Sequence, residues 1–250
     1  GQHVISTCAS QMKKVTCELG GKNALIIMED ADVDAAITAT AVGAFGSTGQ
    51  RCTATSRLLV HRSLREQVMV KLKNAAKGFV PGQNVGPSVD SKQYKTVLDY
   101  IEIGKKEAQI VLGGKPINQK GYFIEPTIFD DVSSDCRIFQ EEIFGPVLCV
   151  SYFDTFEEAL KLANNSKFGL AGSLFTKDMS QVLRYAEMLE AGMVHVNEPT
   201  IGGEAQLPFG GVKATGYGDR EMCEDGINFF TETKTVFLNY SGSGDRSMVR

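Results

Sequence analysis

The chain has 250 residues, 26 Lys+Arg against 30 Asp+Glu, a formal charge of −4 and 42% hydrophobic residues, an ordinary globular composition. No basic tract breaks that balance and no apolar run reaches membrane-spanning length, so neither nucleic acid nor a membrane is an expected partner. Cys8, Cys17, Cys52, Cys136, Cys149 and Cys223 are dispersed, and with His3, His61 and His195 they form no metal-ligand spacing. No metal is expected, and reduced thiols point to a cytoplasmic compartment. A chain that starts at Gly1 rather than Met is expected of a processed or truncated product.

Taken in order, the pattern predicts a helix over Gln2–Met12 and a short strand over Lys14–Cys17 before the turn at Gly20-Gly21. Asn23–Met28 (NALIIM) reads as a buried strand, followed by an Ala-rich helix to about Phe45 capped by Asp30 or Asp32. A Gly/Ser/Thr-rich loop, Gly46–Thr55, leads to a strand over Arg57–His61 and an amphipathic helix over Ser63–Gly78, with Ser63 as its cap. Beyond the Gly/Pro-rich stretch Val80–Pro87, a helix is predicted over Lys92–Lys106 and strands over Ile110–Leu112 and Tyr122–Phe129. Strands over Val147–Phe153, Ala171–Thr176 and Met193–Asn197 then alternate with helices over Thr155–Asn164 and Asp178–Leu189. Such alternation predicts an α/β fold of three layers, a mostly parallel twisted sheet flanked by helices. The tail Ser241–Arg250 lacks apolar content and reads as disordered. No GxGxxG and no GxxxxGK[ST] occurs, so no complete phosphate-binding fingerprint is present.

Cys52 lies in the loop Phe45–Arg57 (FGSTGQRCTATSR), where backbone N–H groups can converge on an oxyanion. Arg51 and Arg57 are neighbours able to hold a thiolate; a buried structural cysteine is the competing reading. Glu18, in CELGGK, sits beside glycines that let a carboxylate swing as a water-activating base would, or it is a solvated turn residue. Glu142 and Phe144 share EEIFGPV, where a solvated acidic pair is the alternative. Gly202–Gly218 (GGEAQLPFGGVKATGYG) reads as a structured loop that shapes a cleft. Asn197, ending GMVHVN, can bond a substrate or a turn backbone.

In succession, ELGGK, FxxxGQxC, EEIFGPV, GxVxVN and PFGGVKxTGYG resemble the aldehyde dehydrogenase superfamily, over residues 1 to about 240. The resemblance implies Cys52 as nucleophile, Glu18 as general base, Glu142 on the ribose of a bound NAD or NADP, and Phe144 packed beside it. It implies residues 1–17 as the remnant of a cofactor-binding domain, 18–220 as the catalytic domain and 221–240 as a C-terminal return with an oligomerisation strand. An aldehyde substrate and a homodimer or homotetramer are implied as well. The family's N-terminal half, with most of its cofactor domain, has no counterpart, which implies a catalytic-domain fragment. The run TGQRCTATSR is similar to members acting on semialdehydes, such as 2,5-dioxovalerate. There Arg51, Arg57 and Asn197 would meet the substrate, the two arginines at an anionic end unless they are structural. The competing functions are a cofactor-independent thiol esterase and a non-enzymatic interaction module.

Overall fold

The computed structural model describes residues 1–117, 119–238 and 240. Helix α1 (Gln2–Ser10) ends short of Met12, whose backbone turns to φ 54°. Strand β1 (Cys17–Glu18) lies later than the predicted Lys14–Cys17, because its pairing partner comes from far down the chain. Strand β2 (Asn23–Ile27) is buried at every position. Helix α2 (Val33–Phe45) is capped by Asp32, which accepts the N–H groups of Asp34 and Ala35. A single 3₁₀ turn, Gly46–Gly49, opens the predicted loop before β3 (Thr55–His61). Ser63 is not a cap: its N–H goes to the His61 ring across the 3₁₀ turn Arg62–Leu64, and α3 (Arg65–Ala76) starts after that.

Asp90 caps α4 (Ser91–Glu107), which leads to β4 (Gln109–Leu112). Of the predicted strand Tyr122–Phe129, only β5 (Thr127–Asp130) forms. Pro126 has no N–H to donate, and Gly113 and Gly114, at φ 68° and 86°, turn the partner strand away. The one-turn helix α5 (Arg137–Gln140), β6 (Val147–Phe153), α6 (Phe156–Asn164, capped by Thr155) and the two-residue β7 (Phe168–Gly169) follow. Next come β8 (Ala171–Phe175), α7 (Met179–Met188, capped by Asp178), β9 (Met193–Val196), β10 (Val212–Lys213), β11 (Gly216–Tyr217) and α8 (Cys223–Phe229). Residues 230–238 join no strand among the described residues, and the predicted disordered tail, 241–250, lies outside the described residues. No helix among the described residues is long and apolar enough to cross a membrane.

Seven strands form one sheet in the order β4-β5-β6-β3-β2-β8-β9, parallel except where β4 meets β5. Side chains alternate across it: Leu25, Ile27, Leu58 and Val60 face α2 and α3, while Ala24, Ile26 and Leu59 face α4 and α6. Each fully buried aliphatic side chain contributes about 1.5–3 kcal/mol, so these two cores hold the three layers together. Two small antiparallel ribbons, β1 with β11 and β7 with β10, close the edge where the parallel strands begin.

Asp30, the other predicted cap, instead accepts Thr176 Oγ1–H and Lys177 N–H (both 2.8 Å), tying the end of β2 to the end of β8. Asp32→Ala should lower the unfolding free energy by about 1 kcal/mol, the usual worth of an N-cap. Asp30→Ala, which strands two donors, should cost about 1–3 kcal/mol. Urea titration checks both, with the midpoint moving and the slope unchanged.

Candidate active site

Cys52 precedes β3, Glu18 precedes β2, and Glu142 and Phe144 precede β6, so all four lie at the amino edge of the parallel strands. One short segment, Glu18–Asn23, brings them together. Gly21 N–H donates to Glu142 Oε1 (2.9 Å). Asn23 Nδ2 donates to the carbonyls of Cys52 (2.8 Å) and Ala54 (2.9 Å), and its Oδ1 accepts Ala171 N–H (3.0 Å). Thr200, fully buried, donates to the Thr53 carbonyl (2.7 Å) and lies 2.8 Å from the Thr55 hydroxyl, so the turn carrying Cys52 is strutted from both sides.

Burial is the dominant electrostatic influence. It raises the Glu18 carboxyl to about 7, helped by the Glu221 charge and opposed by Arg220. Glu18 Oε2 is buried without a hydrogen-bond partner. The half-buried Cys52 thiol is pushed above the ordinary thiol value, again chiefly by burial. The backbone N–H groups of Thr53 and Cys52 pull it back down, and the charges of Glu142 and Glu18 add to the rise. The thiolate support expected from Arg51 and Arg57 is not what the structure provides. Arg51 is exposed and donates its Nε–H to Ser47 Oγ (3.0 Å). Glu142 is raised too, by burial first, with Gly21 N–H and Lys22 opposing.

Two expected substrate residues lie elsewhere. Arg57 is buried, donating to the carbonyls of Lys22 (2.7 Å), Leu162 and Ala163 (both 2.9 Å), with its guanidinium 4.9 Å from the Phe139 ring centre. Its donors are spent on the core, and burial lowers it to about 10. Asn197 sits at the opposite, carboxyl edge, where Oδ1 accepts Thr176 N–H and Nδ2 donates to the Thr176 carbonyl (both 3.1 Å). The turn-backbone alternative describes it. Phe144 stands beside Glu142 with φ 55°, and the residue is 38% exposed.

Asn23 and Thr200 were not legible as site residues, although a polar residue heading an otherwise apolar strand, as Asn23 does in NALII, is a usable signal. Lys22 was missed as well. It is fully buried with no partner for Nζ among the described residues, and burial lowers it to about 8, with Cys149 opposing.

The sequence model of the aldehyde dehydrogenase family matches residues 1–236. The chain is 42% identical over 236 residues to the alpha-ketoglutaric semialdehyde dehydrogenase of Bacillus subtilis, covering 90% of this chain and 48% of that protein. It is 42% identical over 235 residues to the 2,5-dioxopentanoate dehydrogenase of Saccharolobus solfataricus, covering 91% and 49%. Among solved structures, indole-3-acetaldehyde dehydrogenase of P. syringae, in complex with NAD⁺ and IAA, superposes with a TM-score of 0.90 at 40% identity, covering 93% and 49%. An aldehyde dehydrogenase of Bacillus cereus superposes at 0.91 and 41% identity, covering 96% and 50%. The chain spans about half the length of the curated relatives it matches.

Two outcomes follow from the site's electrostatics. Alkylation of Cys52 by iodoacetamide, mapped by peptide mass, should climb about tenfold per pH unit, as the thiolate fraction does. It should not have levelled off at pH 9, the ordinary thiol value; a plateau near neutral pH would show a stabilised thiolate instead. Arg57→Lys should cost about 2–3 kcal/mol in chemical denaturation, because a lysine cannot reproduce the planar fork that satisfies three carbonyls.

Proposed function

The chain belongs to the aldehyde dehydrogenase family, and from that premise we propose that it forms the catalytic part of an NAD(P)⁺-dependent enzyme oxidising an aldehyde to a carboxylic acid. The observation that carries this reading is the convergence of Cys52, Glu18 and Glu142 on the Glu18–Asn23 segment. In this scheme residues 18–220 are the catalytic domain, 1–17 the end of a cofactor domain and 221–240 a return toward a homodimer or homotetramer partner.

The residues present suit the sugar end of a dinucleotide. Glu142 holds one carboxylate oxygen on Gly21 N–H, which leaves the other to accept from a ribose diol, and the exposed Phe144 ring offers a flat apolar surface beside it. When bound, the nicotinamide supplies the hydride acceptor. Cys52 Sγ releases its proton to solvent and adds as the thiolate to the aldehyde carbon, and the oxyanion that forms is met by the Cys52 backbone N–H. Loss of hydride from that carbon leaves a thioester on Cys52. Glu18 takes a proton from water, the resulting hydroxide attacks the thioester carbonyl, and the carboxylic acid leaves as Cys52 recovers its proton. A carboxyl raised to about 7 suits that work, since it is charged above that pH and still basic enough to accept the proton.

A semialdehyde is the substrate class we favour. Relatives named for such substrates support it, and Arg51 is the exposed cation next to Cys52 once Arg57 is accounted for in the core. The six free cysteines are compatible with a reducing cytoplasm.

Replacing Glu18 with Gln keeps volume and hydrogen bonding while removing the base. Steady-state turnover should fall by roughly 10²–10⁴-fold, as for lost general-base catalysis. An acyl adduct on Cys52 should then accumulate, visible by intact mass. In the wild type, adduct release should rise as pH passes about 7. Unchanged turnover with no adduct would remove Glu18 from the scheme.

A further inference from the structure

Thr215, in the glycine-rich loop between β10 and β11, is fully buried with every polar atom engaged. Its hydroxyl donates to the Gly20 carbonyl (2.7 Å) and accepts Gly169 N–H (3.0 Å). Its own carbonyl accepts Leu19 N–H (2.8 Å), and its N–H donates to the Val212 carbonyl (3.2 Å). Its methyl packs on Gly211, where a β-carbon would collide with it. One residue therefore grips both sides of the backbone just after Glu18.

The Gly20 carbonyl and the Gly21 N–H belong to the same planar peptide unit, so they point in opposite directions from one rigid plate. Thr215 holds the carbonyl end and Glu142 holds the N–H end. The result is a continuous chain of hydrogen bonds, from Gly169 N–H through the Thr215 hydroxyl and the Gly20–Gly21 peptide to the Glu142 carboxylate. Such chains polarise one another, and rotating the plate would break both ends together.

We propose that Thr215 is a positioning residue that locks the Gly20–Gly21 peptide and so sets Glu18 and Glu142 with a single hydroxyl. This rests on the roles assigned above to Glu18 and Glu142. The groups that bear on Glu18 electrostatically are Glu221, Arg220 and, across the site, Cys52. Freeing the plate admits water to Glu18, relieves the desolvation that raises its carboxyl, and moves that carboxyl back toward the ordinary carboxylate range.

The test compares Thr215→Val, which keeps the shape, with Thr215→Ser, which keeps the hydroxyl. Thr215→Val should lower steady-state turnover and raise the KM for NAD⁺, each about tenfold, the worth of one ordinary hydrogen bond. Without cofactor, release of the acyl adduct from Cys52 after an activated ester should show its pH midpoint moved down by about one unit. Thr215→Ser should restore all three. Should Thr215→Val not fold, Thr215→Ala carries the same readouts, with fold checked by circular dichroism. A folded, less thermostable variant in which rate, KM and pH midpoint all stay put would overturn the proposal. If Glu18→Gln and Glu142→Gln are silent as well, the functional reading itself has failed. If only the Thr215 variants are silent, the failure belongs to this inference alone.

Discussion

Gly20 and Gly21 are packed so closely that a β-carbon on the first would overlap the Glu142 carboxylate and one on the second would overlap the Cys52 carbonyl. Neither takes a positive φ, so what the chain needs at these two positions is close approach rather than conformational freedom. Because the turn is that thin, three loops entering three different strands can touch one another. The Cys52 carbonyl, the Glu18 backbone and the inner oxygen of Glu142 all rest on a stretch of six residues. Any side chain inserted there would push Cys52 and Glu142 apart from Glu18, whatever became of the two hydrophobic cores.

The location of the site departs from the usual behaviour of open parallel sheets, where ligands bind beyond the carboxyl ends of the strands. In this chain the carboxyl edge is used for structure, with Asp30, Thr176 and Asn197 tied to one another's backbone and side chains. Cys52, Glu18 and Glu142 gather at the amino edge instead, and beneath that edge lie two buried cations with opposite fortunes. Arg57 spends its fork on backbone carbonyls and an aromatic face. Lys22, close by, carries a buried ammonium without a partner among the described residues, which favours its neutral form.

Strand and helix periodicity in the sequence located the sheet well. Val147–Phe153 came out residue for residue, and of the caps offered by local chemistry Asp32 holds its helix while Ser63 does not. Failures occurred where distant partners decide. The strand at Cys17–Glu18 exists because residues 216–217 pair with it, and no local pattern signals that. Arg57 reads as support for the Cys52 thiolate, as a substrate contact or as structural, and parallel pairing of β3 with β6 decides for the last by carrying it inward beside the end of α6. Asn197 was correctly seen as ending a strand, but which edge of the sheet that end occupies depends on strand order and direction. Within the loop Gly202–Gly218 nothing singles out Thr215, because Leu19, Gly20 and Gly169, which it bonds, lie far from it in sequence. The motifs announced which residues matter, whereas their roles required knowing what each one touches.

The pairing of Cys17 with Tyr217 also bears on how the molecule is made. Two-stranded ribbons this short have little stability of their own, and closing so long a loop carries an entropic cost that nearer contacts must offset. Strands β2, β3 and β6 can assemble as soon as residue 153 has left the ribosome, and with them the Asn23 bonds to the turn that carries the thiol. Glu18 acquires its fixed backbone only after some sixty further residues have been synthesised and folded back onto the first twenty. Nascent chains thus pass through an interval in which Cys52 is present while the Glu18 backbone is still unpaired, and the geometry of the candidate site is completed by the ribbon of β1 with β11.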